Sequence, residues 1–174
     1  MRTKAMWLIV LPFLVLARPT PTLLVWGAGL AALGLLIRGW SAGTIEKGEA
    51  LATTGPYAFT RNPLYLGSFI LGVGLALPGG HFVWPVAFAA FFGVVYVPTM
   101  RREAERLHDV FGTRYAEYAA QVPAFLPRLR PYQAGPGDVG GFQWSRYLRY
   151  REWEALLGAA TALAILSLRL RGGA

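Results

Sequence analysis

Two short stretches of this chain carry residue types that can do chemistry together. The first, LATTGPYAFTRNPLYLG from Leu51 to Gly67, sets Tyr57, Arg61, Asn62 and Tyr65 around the turn-forming run Thr53-Thr54-Gly55-Pro56. The second places Arg101, Arg102, Glu103 and Glu105 in the polar segment that begins at Thr99. Asn62 followed by Pro63 reads as a helix start, since asparagine suits the cap position and proline the first helical one. Such a start leaves N–H groups unpaired and carries a partial positive charge, so with Arg61 beside it the stretch is a candidate anion cradle. The glutamates offer a carboxylate to an ammonium, a hydroxyl or a departing proton, and the tyrosines offer an aromatic face to a cation.

Other chemistries lack their residues. The chain has no cysteine, which removes disulfides, thiolate metal sites and thiol nucleophiles, and its two histidines, His81 and His108, cannot build a three-ligand zinc centre unaided. No serine sits in a nucleophile elbow, and no Gly-x-Gly-x-x-Gly follows a strand. Gly72 and Gly74 fall inside an apolar run and are explained by helix packing.

The elements that must position the two stretches are membrane helices. At 174 residues, 55% hydrophobic and only 15% charged, the chain suits one domain but not a soluble one. Thr22 to Trp40, Leu64 to Leu77, Phe82 to Val97 and Trp153 to Leu170 are nearly charge-free and read as spans. Met6 to Ala17 reads as a short first span, with a signal peptide as its alternative. Of the 17 basic residues, all but Arg18, Arg169 and Arg171 then fall on one side, which orients the N-terminus and both motif stretches to the cytoplasm. The expected architecture is all-α, about five transmembrane helices in the cell's inner membrane with a cytoplasmic helical extension. It divides into a hairpin over 1–40, a core over 48–131, and an interfacial segment with the last span over 142–174.

Order along the chain brings the stretches together. Ser41 to Arg61 reads as a polar loop, and Pro78-Gly79-Gly80 as a tight turn that folds two spans into a hairpin and returns the chain to the face of Asn62. From Thr99 a further helix is expected, ended by Gly112, with Thr113 capping a short one after it. Gly27, Ala28, Ala31, Ala32 and Gly34 are small residues of the packing type. Phe142, Trp144, Tyr147 and Tyr150 among arginines, just before a span, read as an interfacial anchor in preference to a nucleic-acid surface, and the net charge of +8 as topology and lipid attraction.

GPYAFTRNPLYLG followed some forty residues later by EAERLHDVFGTRYAEYAAQVPAFLP resembles the isoprenylcysteine carboxyl methyltransferase and phospholipid methyltransferase superfamily of integral membrane enzymes. The likeness covers about residues 48 to 127. Gly55, Pro56, Tyr57, Arg61, Pro63, Tyr65 and Gly67 match its first motif; Glu103, Leu107, Phe111, Gly112, Tyr115 and Tyr118 match its second. Asn62 stands where the pattern has histidine, and Ala104 where it has a second glutamate. Either Glu103 acts alone, or Glu105, about 100° further round the helix, substitutes imperfectly.

The resemblance implies S-adenosylmethionine as methyl donor and a lipophilic small molecule or lipidated acceptor entering from the bilayer, with no metal and no nucleic acid. Gly55, Pro56, Tyr57, Asn62, Pro63, Tyr65, Gly67, Glu103 and Glu105 are then the candidate cofactor residues, and Arg61, Arg102 and Glu103 the candidate catalytic ones. The reaction is expected to be most like isoprenylcysteine carboxyl O-methylation, whose carboxylate acceptor needs only an arginine to position it, Arg61 or Arg102, with phospholipid N-methylation as the alternative. A phospholipid amine needs a base, for which Glu103 is the candidate. The rival of another class is a non-catalytic membrane scaffold. Taken singly, Tyr57 and Tyr65 could be belt residues, Arg101 and Arg102 topogenic charges, and Asn62 a cap; their joint occurrence favours a site.

Overall fold

The computed structural model describes residues 12–13, 15–45, 50–133, 135 and 141–172. Among them the chain is helical with no strand. Its helices are α1 (Pro21–Thr44), α2 (Pro63–Ala76), α3 (Val83–Phe111), α4 (Thr113–Gln121), α5 (Trp144–Arg149) and α6 (Trp153–Gly172), with 3₁₀ turns at Gly55–Ala58 and Leu77–Gly79. Helices α1 and α3 and the Trp153–Leu170 part of α6 are long and apolar enough to cross a membrane, while Pro63–Gly79 is apolar but shorter. The span expected over Met6–Ala17 lies mostly outside the described residues.

Three boundaries differ from expectation, each for a local reason. Helix α1 runs on through Ser41–Thr44, which had read as loop; Ser41 Oγ and Thr44 Oγ1 donate back to Ile37 O and Trp40 O at 2.6 and 2.8 Å, and the Phe142 ring covers Gly43. The fourth span and the extension from Thr99 are one 29-residue helix that carries Pro98 inside it. At about 1.5 Å per residue it outruns a hydrocarbon core of about 30 Å, so its end stands clear of the bilayer. Gly112 ends it as expected, but α4 takes Gly112 itself as its cap and Thr113 as its first residue.

Helices α1 and α2 pack along a glycine seam. A Cβ at Gly27 would come within 2.6 Å of Gly74 O, one at Gly74 within 2.5 Å of Ala31 N, and one at Gly34 would strike Leu71 N and Gly67 O. Only glycine lets the backbones approach so closely, and dispersion along such a seam holds helices together where lipid gives no hydrophobic drive. The small residues read from the sequence therefore divide: Gly27, Ala31 and Gly34 are buried in the seam, whereas Ala32 is exposed. Gly72 is likewise a packing residue, covered by Phe88 of α3.

The turn at Leu77–Gly79 reverses the chain as expected, with Gly80 at φ 82°. Aromatic contacts then hold α2 to α3: Phe69 meets Phe92 at 5.1 Å and Tyr65 meets Tyr96 at 5.6 Å between ring centroids. The motif end of the bundle has its own core of Leu51, Tyr115, Tyr118 and Val122.

Candidate functional site

The site is assembled from the loop before α2 and the far end of α3, with the strap after α4 laid across both. Arg61 N donates to Pro123 O at 2.9 Å, Thr60 Oγ1 to Phe125 O at 3.0 Å, and Arg128 N to Phe59 O at 2.9 Å. These bonds fix a loop whose apolar content is too small to fix itself. Gly55 takes φ 57°, a left-handed conformation that glycine adopts without strain, and Pro56 and Tyr57 follow it into buried positions.

Asn62 occupies the cap position of α2, but its side chain makes no cap bond; Nδ2 donates instead to Ala124 O at 2.8 Å. The asparagine serves the strap and leaves the start of α2 without a side-chain cap, with Arg61 beside it. Arg61 Nη1 donates to Tyr115 OH at 3.1 Å, while its buried Nε has no partner. The two motif stretches do meet, Tyr65 OH donating to Glu103 Oε2 at 3.1 Å.

Tyr57 lies at the centre with 5% of its surface exposed. Its carbonyl accepts from Tyr118 OH at 2.7 Å, but its own hydroxyl is buried without a partner. Burial first, then the charge of Glu103, with Tyr118, Tyr150 and Glu152 behind, push the Tyr57 phenol well above its ordinary range. Burial also raises Tyr118, against the opposing pull of Arg61.

Of the remaining candidates, Pro63 is buried at the first position of α2. Gly67 faces α1, where a Cβ would come within 2.8 Å of Arg38 Cγ and of Gly34 O, so its contact is helix packing. Arg102 and Glu105 are exposed on α3, Glu105 about 200° round from Glu103. Ala104, in place of the glutamate of the family pattern, packs against the Leu51–Tyr115 core.

Sequence reasoning missed one cluster. Arg38 Nε and Nη2 hold both oxygens of Glu152 at 2.8–3.0 Å, and Nη1 donates to Ser68 Oγ. The signal was an arginine and a glutamate each at the end of an apolar run, but nothing in the sequence pairs residues 114 positions apart.

Among the described residues, four of the five buried polar side-chain atoms without a partner are Thr53 Oγ1, Thr54 Oγ1, Tyr57 OH and Arg61 Nε, all in one nine-residue stretch. Buried polar groups are normally paired, and such a concentration fits a polar ligand. S-adenosylmethionine suits the donor set: its carboxylate matches Arg61 Nε, its ammonium and ribose hydroxyls match Glu103, and its sulfonium matches tyrosine faces.

A helical membrane bundle with these two motifs in contact at one end defines a class, the integral membrane methyltransferases. The phospholipid methyltransferase family matches residues 21–114, more than half of the chain, and the protein belongs to that family. The match begins with α1, which had been expected to lie outside it, and leaves α5 and α6 beyond its end. A cobalt-zinc-cadmium resistance protein of Cupriavidus metallidurans is 35% identical over 114 residues, 64% of this chain and 51% of its own. A nickel-cobalt-cadmium resistance protein of Alcaligenes xylosoxydans xylosoxydans is 34% identical over 122 residues, 67% of this chain and 55% of its own. The protein-S-isoprenylcysteine O-methyltransferase of Schizosaccharomyces pombe is 32% identical over 84 residues, 48% of this chain and 36% of its own. The chain thus spans about half the length of the two resistance proteins. No solved structure matches it significantly.

Proposed function

We propose that the protein transfers a methyl group from S-adenosylmethionine to a lipophilic acceptor, in a site at the cytoplasmic face of the membrane between the start of α2 and the free end of α3. The observation that carries this is the cluster of unpartnered polar atoms at Thr53, Thr54, Tyr57 and Arg61, set beside the Tyr65–Glu103 contact. Family membership supports the reaction class, and the 32% identity to an isoprenylcysteine O-methyltransferase supports an acceptor that lives in the bilayer.

S-adenosylmethionine supplies an electrophilic methyl on a positively charged sulfur. The remaining work falls to the chain. Arg61 Nε binds a carboxylate, Tyr57 and Tyr65 line the cationic centre, and the strap over residues 123–128 keeps water from the loop. The acceptor must then be held in line. A carboxylate acceptor would want a buried arginine of its own, yet Arg61 is bound to Tyr115 and committed to the cofactor, and Arg102 is exposed. Glu103, exposed like Arg102 and bound to Tyr65, is the candidate to take the proton that an amine or hydroxyl acceptor gives up as its new bond to carbon forms.

Calorimetry with S-adenosylmethionine and its demethylated product, on wild-type protein and Glu103→Ala in lipid nanodiscs, tests this. Micromolar binding lost in the variant is the expected result. No binding by the wild type would sink the proposal and leave a membrane scaffold in its place.

A further inference from the structure

A groove of about 590 Å³ lies between α1, within the family match, and the α5–α6 segment beyond its end. Leu35, Leu36, Trp40, Trp144, Tyr147 and Leu156 wall it. Its size falls in the range of small-molecule sites, roughly 300–1,000 Å³. Leu36, Trp40, Trp144 and Leu156 are each about half exposed or more, and α1 and α6 cross the membrane, so the mouth of the groove opens on lipid.

Among the described residues that line it, Glu152 is the one with a charge. With its side chain 10% exposed, Glu152 accepts three N–H bonds from Arg38. A carboxylate has about four acceptor sites, so room for one more donor remains. A charged pair this buried at the ends of two spans is costly to desolvate and is weak evidence for stability. The turn that presents Glu152 holds Arg151 at φ 54°, a strained conformation for a residue with a side chain.

The groove adjoins the candidate site through one of its walls. Its wall residue Trp40 packs on the Gly55 turn, where the indole nitrogen stands 3.4 Å from a Cβ built at Gly55. After burial, the charges of Glu103, Tyr118, Tyr150 and Glu152 all raise the Tyr57 phenol. A larger cavity of about 810 Å³ is lined by residues 17–19 and by Ile165 and residues 168–170, none of them a wall residue of the groove.

We propose that this groove takes the apolar tail of the methyl acceptor from the bilayer, and that Glu152, held by Arg38, receives a hydrogen-bond-donating head and positions it beside Tyr57. The proposal rests on the methyl-transfer reading and assigns to α5 and α6 the selection of the acceptor. An anionic head would meet Glu103 and Glu152 with Arg38 already engaged; an amine or hydroxyl head finds the free acceptor site on Glu152.

Photolabelling of the full chain in nanodiscs, with diazirine-tagged hexadecylamine against diazirine-tagged hexadecanoic acid, tests it, the adducts being located by peptide mass spectrometry. The amine should mark the groove walls near Trp40, Trp144 and Leu156, roughly tenfold more than the acid, as one charge-assisted hydrogen bond predicts. Leu156→Trp should fill the groove and abolish the label while S-adenosylmethionine affinity holds. Glu152→Gln should erase the preference for amine. Because that variant strands the Arg38 guanidinium, the neutral pair Arg38→Gln with Glu152→Gln accompanies it and should erase the preference too. Equal or stronger labelling by the acid, labelling indifferent to Leu156→Trp, or a preference that survives in the neutral pair would each overturn the assignment. Failure of the wild type to bind S-adenosylmethionine strikes the methyl-transfer reading alone, since groove labelling is read independently of it.

Discussion

The α1–α2 seam and the Leu51–Asn62 loop adjoin, yet they are built to opposite rules. In the seam every position is filled: Gly27, Gly34, Gly67 and Gly74 give up their side chains so that backbone meets backbone. In the loop, hydroxyls and a guanidinium nitrogen are carried into burial and left without partners. Native interiors seldom leave polar groups so, and a satisfied seam beside an unsatisfied loop separates what holds the protein together from what it holds.

The contrast breaks most visibly in the seam. Gly34→Leu would drive a side chain into Leu71 N and Gly67 O, backbone atoms that cannot move aside. A cost of about 3 kcal/mol or more is expected, seen as a collapse of the melting temperature together with cofactor binding. Glu103→Ala should do the reverse. It removes an exposed carboxylate that accepts a bond from Tyr65, so melting should shift little while affinity for S-adenosylmethionine falls by about ten- to a hundredfold. If Glu103→Ala unfolds the protein, or Gly34→Leu melts like the wild type, the division between seam and site is wrong.

A smaller effect sharpens the loop side. Tyr57 and Tyr118 are both neutral below pH 10, folded or unfolded, so they contribute no pH dependence there. Above that, the unfolded chain releases their protons while the folded one retains them. Stability should fall with rising pH by about 1.4 kcal/mol per unit for each tyrosine, until the raised folded values are reached. Tyr118→Phe should reduce that slope by one proton and also cost about 1 kcal/mol at neutral pH through the lost bond to Tyr57 O. Denaturation between pH 8 and 12 on both proteins checks the sign; an unchanged slope in the variant would remove Tyr118 from the account.

How much of this the sequence disclosed follows from the range of the forces involved. Helices α1, α2, α3 and α6 were legible because long apolar runs and Pro-Gly turns are local, and the Tyr65–Glu103 meeting followed from the hairpin that Pro78-Gly79-Gly80 imposes. Ser41–Thr44 was misread as loop because its burial depends on Phe142, far along the chain. Asn62 has the chemistry of a cap, but Ala124, 62 residues away, competes for its amide and wins. The Arg38–Glu152 pair was hidden for the same reason: single charges at span ends look like flank charges until folding pairs them.

The smallest effect tests whether the seam is specific to its glycines. Gly29 lies on α1 between Gly27 and Ala31, yet a Cβ there meets nothing within 4 Å. Glycine in a helix interior costs about 0.5–1 kcal/mol relative to alanine, because the unfolded chain has more freedom to lose. Gly29→Ala should therefore leave melting unchanged or raise it slightly, while the same change at Gly27, 2.6 Å from Gly74 O, lowers it. Two identical substitutions one half-turn apart, with opposite signs, would tie α1's stability to the face it presents to α2. Equal gains at both would mean that helix propensity, not backbone contact, governs this helix.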